Sequence, residues 1–133
     1  MNLFLLRKLK TDLIMSKLIT WVEIPATDIK RAASFYNEIL DLELEILDFG
    51  VEKMVCFPNG EGAISVAPDF KPSKDGAIIH FSMDVDMDTA LEKVKRAGGK
   101  EIKPKTKVEA EGRGYFALII DSEDNRIGLY SDK

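Results

Sequence analysis

The sequence predicts an α+β fold in which two βαβββ modules form curled mixed sheets around a shared cavity. Three observations support this prediction. The 133 residues suffice for one domain with a single core. Segments typical of strands and helices follow in the order strand, helix, strand, strand, strand, and the same order then begins again. Neither half is large enough to fold alone, so we expect the two halves to share one core.

The first module extends over about residues 18–70. Residues 18–24 alternate and are rich in β-branched side chains, which is typical of a strand. Thr27 and Asp28 can then cap a helix over about residues 29–39. The apolar residues of this helix fall on one face: Ile29, Ala32, Ala33, Tyr36, Ile39 and Leu40. The segments that follow predict three strands, at residues 43–49, 52–57 and 63–67.

The second module extends over about residues 76–132 and follows a polar connector, residues 71–76. Residues 77–85 predict its first strand, and Asp86 or Asp88 can cap the next helix, which a Gly-Gly pair ends. Three strands are then predicted, near Ile102, at residues 115–120 and at residues 126–131. A ferredoxin-like βαββαβ domain is the main alternative, but it leaves the last two strands without a place.

Residues 1–17 form a separate basic segment, with four basic side chains against Asp12 alone. Leu3, Leu6 and Leu9 recur at helical spacing, so this segment predicts a short amphipathic helical appendage. Such a helix could bind a membrane surface or a partner, or it could pack on its own protein or on a dimer mate. Because the segment is short, we favour packing on the protein itself or on a dimer mate.

The composition excludes several classes of function. The chain has 19 basic and 23 acidic residues, a formal net charge of −4, which argues against nucleic-acid binding. No apolar run approaches the roughly 20 residues that a membrane span needs. A single cysteine, Cys56, excludes an internal disulfide and suits a reducing compartment. The apolar part of the N-terminus precedes its charges, the reverse of a signal peptide, so we expect a cytoplasmic protein.

Three segments resemble the glyoxalase / bleomycin-resistance / dioxygenase family, also called the vicinal oxygen chelate superfamily. They are residues 22–36 (VEIPATDIKRAASFY), the helix end at residues 97–99 (AGG) and the closing residues 121–131 (DSEDNRIGLYS). The segments occur in the order and spacing of the family, and the resemblance covers about residues 18–132. We therefore interpret the chain as a relative of this family.

The resemblance implies a paired βαβββ fold and, in many members, a homodimer. In metal-dependent members, His, Gln or Glu side chains from the first and last strands of each module hold a divalent ion. That ion chelates adjacent oxygens of the substrate and stabilises an enolate-like intermediate or activates oxygen. Other members hold no metal and sequester a drug. From the resemblance we expect a small-molecule ligand and a homodimer.

In the register of the family, the four ligand positions of this chain hold side chains that are not normal metal ligands. These positions are occupied by Trp21, by Ser65, by Ile78 or Ile79, and by Gly128. We therefore expect no cofactor, although a divalent metal ion held by other residues stays an open alternative.

Glu23 and His80 are the candidate catalytic residues. Strand alternation places Glu23 on the same face as Trp21, and His80 on the same face as Ile78. Each lies two residues beyond the ligand position of its module, so the resemblance makes them equivalent. They could form an acid/base pair, or they could be two ligands of a displaced metal site. The alternative is that each is an ordinary polar residue on a mostly apolar strand.

Five further residues are predicted to line the pocket: Trp21, Ser65, Ser82, Arg113 and Tyr115. Trp21 could stack on a flat ligand or fill a vestigial cavity. Arg113 could attract an anionic ligand, although a solvated loop arginine is the commoner case. Core positions are predicted for Phe35, Tyr36 and Phe116, and a buried one for Cys56.

Three functions are consistent with these features. The first is metal-independent binding of a small organic molecule, which the four unusual ligand positions favour. The second is a lyase, isomerase or dioxygenase-type enzyme that uses Glu23 and His80, with or without a divalent metal. The third is a non-catalytic interaction partner with a vestigial pocket.

Overall fold

The structure, a computed structural model, describes residues 18–133. The appendage predicted at residues 1–17 lies outside the described residues. Each predicted module forms one four-stranded sheet with a helix on one face, and the two sheets have the same topology. The predicted fold class and the repeated order of elements are therefore confirmed.

The first module contains β1 (Val22–Pro25), α1 (Ile29–Leu40), β2 (Ile46–Asp48), β3 (Lys53–Cys56) and β4 (Gly62–Val66). Its strand order is β1-β4-β3-β2, with β1 parallel to β4. The second module contains β5 (His80–Ser82), α2 (Met87–Arg96), β6 (Lys100–Lys107), β7 (Tyr115–Ile120) and β8 (Arg126–Ser131). Its order is β5-β8-β7-β6, with β5 parallel to β8. The edge strands β1 and β5 are thus equivalent.

The first strand of each module is shorter than the sequence predicts. β1 begins at Val22 rather than at residue 18, because β4, its partner among residues 18–133, begins at Gly62 and extends no further along it. β5 spans three residues instead of nine, since the preceding segment follows β8 through isolated hydrogen bonds, such as that from the Gly128 N–H to the Ile79 carbonyl. Alternation predicts which residues can form a strand, but strand length depends on the partner.

Capping residues fix the start and end of α1. Asp28 accepts hydrogen bonds from the backbone N–H groups of Lys30 and Arg31, both at 3.1 Å, as expected for an N-cap aspartate. The helix ends at Asp41, which adopts the left-handed conformation with φ of 54°. The predicted inner face of this helix is buried, apart from the half-buried Leu40, and Phe35 is buried with it.

One hydrophobic core joins the two modules. It contains the inner faces of both helices and the helix-facing side chains of both sheets, for example Ile64 on β4 and Leu129 on β8. The Tyr36 ring lies 5.6 Å from the Phe81 ring of the other module, and Phe57 packs against both rings. Full burial of an apolar side chain contributes about 1.5–3 kcal/mol to the free energy of unfolding. Each module would lose part of this stabilisation without the other, because the core includes side chains of both.

A buried polar network also connects the modules. The Asp121 carboxylate in the β7–β8 turn accepts a 2.5 Å hydrogen bond from the Tyr36 hydroxyl of α1. It also accepts hydrogen bonds from the backbone N–H groups of Glu123 and Asn125, both at 2.8 Å. Burial and the adjacent carboxylate raise the pKa of Tyr36 well above its ordinary value. The hydroxyl therefore stays protonated and keeps donating.

Glu123 extends this network to the start of α1. Its carboxylate accepts hydrogen bonds from the backbone N–H groups of Thr27 (2.9 Å) and Asp28 (2.8 Å) and from the Arg31 guanidinium (2.6 and 3.0 Å). Asn125 donates to the Pro25 carbonyl at 2.7 Å. The closing segment of the second module thus holds the strand-to-helix connection of the first.

Candidate functional site

Each sheet has a face that looks away from its helix, which we call its distal face. On β8, Ile127 and Leu129 belong to the core, so Gly128 and Tyr130 lie on the distal face. Strand register places four more side chains on that face of the second sheet: His80, Ser82, Phe116 and Leu118. The distal face of the first sheet carries Glu23, Met54, Cys56, Ala63 and Ser65.

A cavity of about 530 Å³ opens on the distal face of the second sheet. Three other cavities on residues 18–133, of about 440, 420 and 220 Å³, are smaller. The lining of the largest one, which we call the distal pocket, consists of His80, Ser82, Val108, Arg113, Phe116 and Tyr130. Its volume lies in the range of about 300–1,000 Å³ that is typical of small-molecule sites.

His80 occupies its place because Gly128 has no side chain. The two residues are direct partners in the β5–β8 ladder. A Cβ atom at Gly128 would overlap the imidazole ring, with Nδ1, Cε1 and Cγ as its nearest neighbours. The imidazole also lies edge-on to Phe116, with 6.1 Å between the ring centroids. Glycine here permits a close approach that any other residue would prevent.

The loop between β6 and β7 forms the wall of the pocket that carries Arg113. Tyr130 on β8 holds this loop in place, because its hydroxyl accepts a hydrogen bond from the Gly114 N–H at 2.9 Å. The same hydroxyl donates to the Asp132 carboxylate at 3.0 Å. The ammonium group of Lys107 donates to the carbonyls of Arg113 and Gly114. Within residues 18–133 the Arg113 guanidinium makes no hydrogen bond or ion pair, so its donors are free for a ligand.

The space beside His80 continues between the two modules. The cavity of about 420 Å³ is lined by His80 and Ser82 from β5 and by Val22 and Phe57 from the first module. The cavity of about 220 Å³ lies further along β1 and includes Glu23. Ile79 lines both of these cavities, so they adjoin at the gap between the edge strands β1 and β5.

The structure does not pair Glu23 with His80. Ser65 donates a 3.0 Å hydrogen bond to the Glu23 carboxylate, and Glu23 and His80 line different cavities. Among residues 18–133, no hydrogen bond or ion pair joins these two side chains. The predicted pair therefore consists of two separate groups on adjoining cavities, one held by a serine and one facing the distal pocket.

The five predicted lining residues have different environments. Ser82 and Arg113 line the distal pocket together with His80. Ser65 is buried beneath Glu23, and Trp21 is 44% exposed and lines none of the four cavities. The prediction for Tyr115 is wrong, since it packs on the helix side of the sheet, where the Lys105 ammonium lies 4.4 Å from its ring. Alternation along β7 turns Phe116, not Tyr115, into the pocket.

The structure also corrects the sequence predictions for Phe116 and Cys56. Phe116 lines the pocket instead of belonging to the core, and Cys56 is only half-buried on the distal face of the first sheet. Tyr130 and Val108 were missed as lining residues. Alternation from Gly128 would have identified Tyr130, because residues two apart on a strand share a face.

The sequence register left the ligand position on the first strand of the second module open between Ile78 and Ile79. In the structure, Ile79 packs against the core, and the residue that lies directly opposite Gly128 in the β5–β8 ladder is His80. An imidazole therefore lies beside the ligand position that Gly128 occupies.

Comparisons with known proteins agree with this architecture. The sequence model of the Glyoxalase/Bleomycin resistance protein/Dioxygenase superfamily matches residues 18–129. The chain belongs to this superfamily. A glyoxylase-like domain-containing protein from Didymella fabae is 31% identical over 93 residues, covering 63% of this chain and 70% of the relative.

Solved structures from the superfamily show the same fold at low identity. A glyoxalase I variant from Zea mays has a TM-score of 0.66 at 16% identity, covering 84% of this chain and 45% of the maize protein. The fosfomycin resistance protein FosX from Listeria monocytogenes has a TM-score of 0.63 at 18% identity, covering 88% of this chain and 94% of that protein. These two matches establish the fold alone.

Within residues 18–133, the donor atoms around His80 and Glu23 do not fit the divalent ion of metal-dependent superfamily members. Beside His80 lies Gly128, which offers no side-chain ligand, and Glu23 accepts a hydrogen bond from Ser65. Over the described part of the chain, no three His, Cys, Asp or Glu side chains come close enough to hold an ion. Also within that part, no helix is long and apolar enough to cross a membrane.

Proposed function

We propose that this superfamily member binds a small organic molecule in the distal pocket and does so without a divalent metal ion. The observation that carries the proposal is the pairing of His80 with Gly128. A carboxylate side chain at position 128 would lie beside the imidazole of His80, and the two groups would then be neighbouring metal ligands. Glycine instead leaves the imidazole alone against Phe116, in a cavity large enough for a ligand.

The chemistry of the pocket supports binding. Phe116 and Val108 offer apolar contact area, while His80, Ser82 and Arg113 offer a few hydrogen-bonding groups. A mostly apolar cavity with a small number of polar side chains is the usual form of a small-molecule site. The superfamily whose model matches residues 18–129 includes bleomycin resistance proteins in its name, which supports binding of a small organic molecule.

An enzyme that uses Glu23 and His80 is the second candidate function. The observation in its favour is that both side chains are exposed on cavities that adjoin at Ile79. A substrate that spans the gap between β1 and β5 would contact the carboxylate at one end and the imidazole at the other. Each group would then act separately, as a base or an acid.

The proposal is tested on protein purified without a chelator, by metal analysis and by mass spectrometry of bound small molecules. We expect no stoichiometric metal, and we expect an organic ligand that is lost in the Phe116→Ala variant. Arg96→Gln, at the end of α2 and away from the pocket, serves as the matched control and should retain the ligand. Stoichiometric zinc, nickel, iron or manganese that is lost in His80→Ala would overturn the proposal.

We also propose that the protein works as a cytoplasmic homodimer, with the β2–β3 hairpin in the interface. Ile46, Leu47, Phe49 and Val51 of this hairpin are exposed. The equivalent edge strand β6 instead carries four lysines and a proline, which discourage association. Sedimentation of Phe49→Ser should show monomers, while Ile102→Ser on β6 should stay dimeric. A wild-type monomer at micromolar concentration would contradict the dimer.

A further inference from the structure

We propose that the ligand of the distal pocket is an organic anion with a flat apolar body, of the class of aromatic carboxylates. This inference rests on the proposed function and adds the chemical class of the ligand. It is carried by the charges around the pocket, by the position of Arg113 and by the shape of the apolar surface.

The charge of the distal pocket is opposite to that of the chain. The chain has more acidic than basic residues, with a formal net charge of −4. The distal pocket nevertheless has Arg113 and His80 in its lining and no carboxylate. Each of the other three cavities includes at least one carboxylate: Glu23 and Asp75, Glu61, and Asp28. An anion would therefore meet least repulsion in the distal pocket.

A second cation lies at the edge of the pocket. The Lys103 ammonium is 5.9 Å from the centre of the Phe116 ring, on the same face of the sheet. The carboxylate of Asp132 accepts the hydrogen bond from Tyr130, which lines the pocket. Glu109 and Glu111 lie in the same loop as Arg113, are exposed, and form no ion pair with it in the described residues.

The side chains of the distal pocket provide separate places for the carboxylate and for the flat ring of such a ligand. The planar guanidinium of Arg113 can donate two parallel hydrogen bonds to a carboxylate, which a single ammonium cannot. Phe116 and Val108 form an apolar floor on which a flat ring can lie. Ser82 and His80 add hydrogen-bonding groups between these two ends. A cavity of about 530 Å³ accommodates one or two fused rings.

The experiment compares 2-naphthoate with its neutral analogue 2-naphthalenemethanol by titration calorimetry at pH 7.5. We expect wild-type protein to bind the naphthoate about 10-fold or more tightly than the alcohol, the effect of hydrogen bonds to a charged group. Arg113→Gln should remove this preference by weakening naphthoate binding about 10-fold or more. Arg96→Gln, an exposed arginine on α2, should behave as wild type. Thermal unfolding of each variant checks that it is folded.

Three other outcomes overturn the inference, and they differ in what they say about the proposed function. Equal binding of both probes, unchanged in Arg113→Gln, overturns the anionic class but keeps a pocket ligand. Binding of both probes that is unaffected by Phe116→Ala shows that the distal pocket is not the site and overturns the proposed function as well. No binding of either probe at millimolar concentration overturns the aromatic class, and analysis of the co-purified ligand then decides the proposed function.

Discussion

The turns that join the last two strands of each module occupy equivalent places but differ in burial. In the second module, Asp121, Glu123 and Asn125 are buried. In the first, the turn at residues 58–61 is exposed throughout. A buried carboxylate is tolerated only when its oxygens accept hydrogen bonds, and both oxygens of Asp121 do so. Of the two equivalent turns, the one in the second module therefore connects the modules through buried polar groups.

The distal faces differ in a corresponding way. On the first sheet, Ala63 lies opposite Glu23, and Ser65 fills the space beside the carboxylate. On the second sheet, Gly128 lies opposite His80, and the space beyond the imidazole is open. The first module thus combines an exposed turn with a distal face whose Glu23 borders a cavity of about 220 Å³, while the second combines a buried turn with a distal face that opens on the cavity of about 530 Å³. The two copies of the repeat therefore differ both in the burial of their last turn and in the open space on their distal face.

The largest effect in this comparison is expected for Asp121→Ala. The substitution leaves the Tyr36 hydroxyl, the Asn125 side-chain amide and two backbone N–H groups without their partner. Breaking a buried network of this kind costs about 3–5 kcal/mol of unfolding free energy. Urea unfolding measures this loss.

A matched change in the exposed turn serves as the control. Glu61→Gln alters the equivalent turn of the first module and should change the unfolding free energy by less than about 0.5 kcal/mol. Should Asp121→Ala be too unstable to purify, Tyr36→Phe removes one hydrogen bond and should cost about 1 kcal/mol. Equal stability of the Asp121→Ala and Glu61→Gln variants would show that the two turns do not differ in role.

A smaller effect is expected for Gly128→Ala, which makes the second distal face resemble the first. The new methyl group would overlap the His80 ring, and overpacking of this kind costs about 1–3 kcal/mol. The double variant His80→Ala/Gly128→Ala should recover most of the loss, because the overlapping ring is gone. A double-mutant cycle of urea unfolding measures the coupling. Additive losses would show that the ring does not rest on Gly128.

Local patterns in the sequence predicted the fold well and the site only in part. The inner face of α1 and the strands β7 and β8 follow from periodicity, which depends on neighbours in sequence. Tyr115 was predicted to line the pocket, whereas the structure places Phe116 there. Which of these two neighbours faces the pocket depends on the side of β7 that packs on the helix, and the pairing of β7 with β8 determines that side. The pairing of His80 with Gly128 could not be predicted for the same reason, since strand register depends on contacts far apart in sequence.

The smallest effect concerns pH and the ion pair that links the modules. Burial alone would raise the pKa of Glu123, but hydrogen bonds from Arg31, Asp28 and Thr27 outweigh it and lower the pKa below its ordinary value of 4.5. A carboxylate with a lowered pKa stabilises the fold above about pH 4.5, and this stabilisation is lost as the pH falls through the lower pKa of the folded state.

Glu123→Gln should therefore be less stable than wild type at pH 7, and the difference should narrow in acid. Urea unfolding at pH 7, 5, 4 and 3 measures both free energies. Glu61→Gln, in the exposed turn, provides the matched loss of a carboxylate and should run parallel to wild type. A difference between Glu123→Gln and wild type that is constant with pH would mean that Glu123 acts only through the shape of its side chain. The charge on the carboxylate would then contribute nothing to joining the modules.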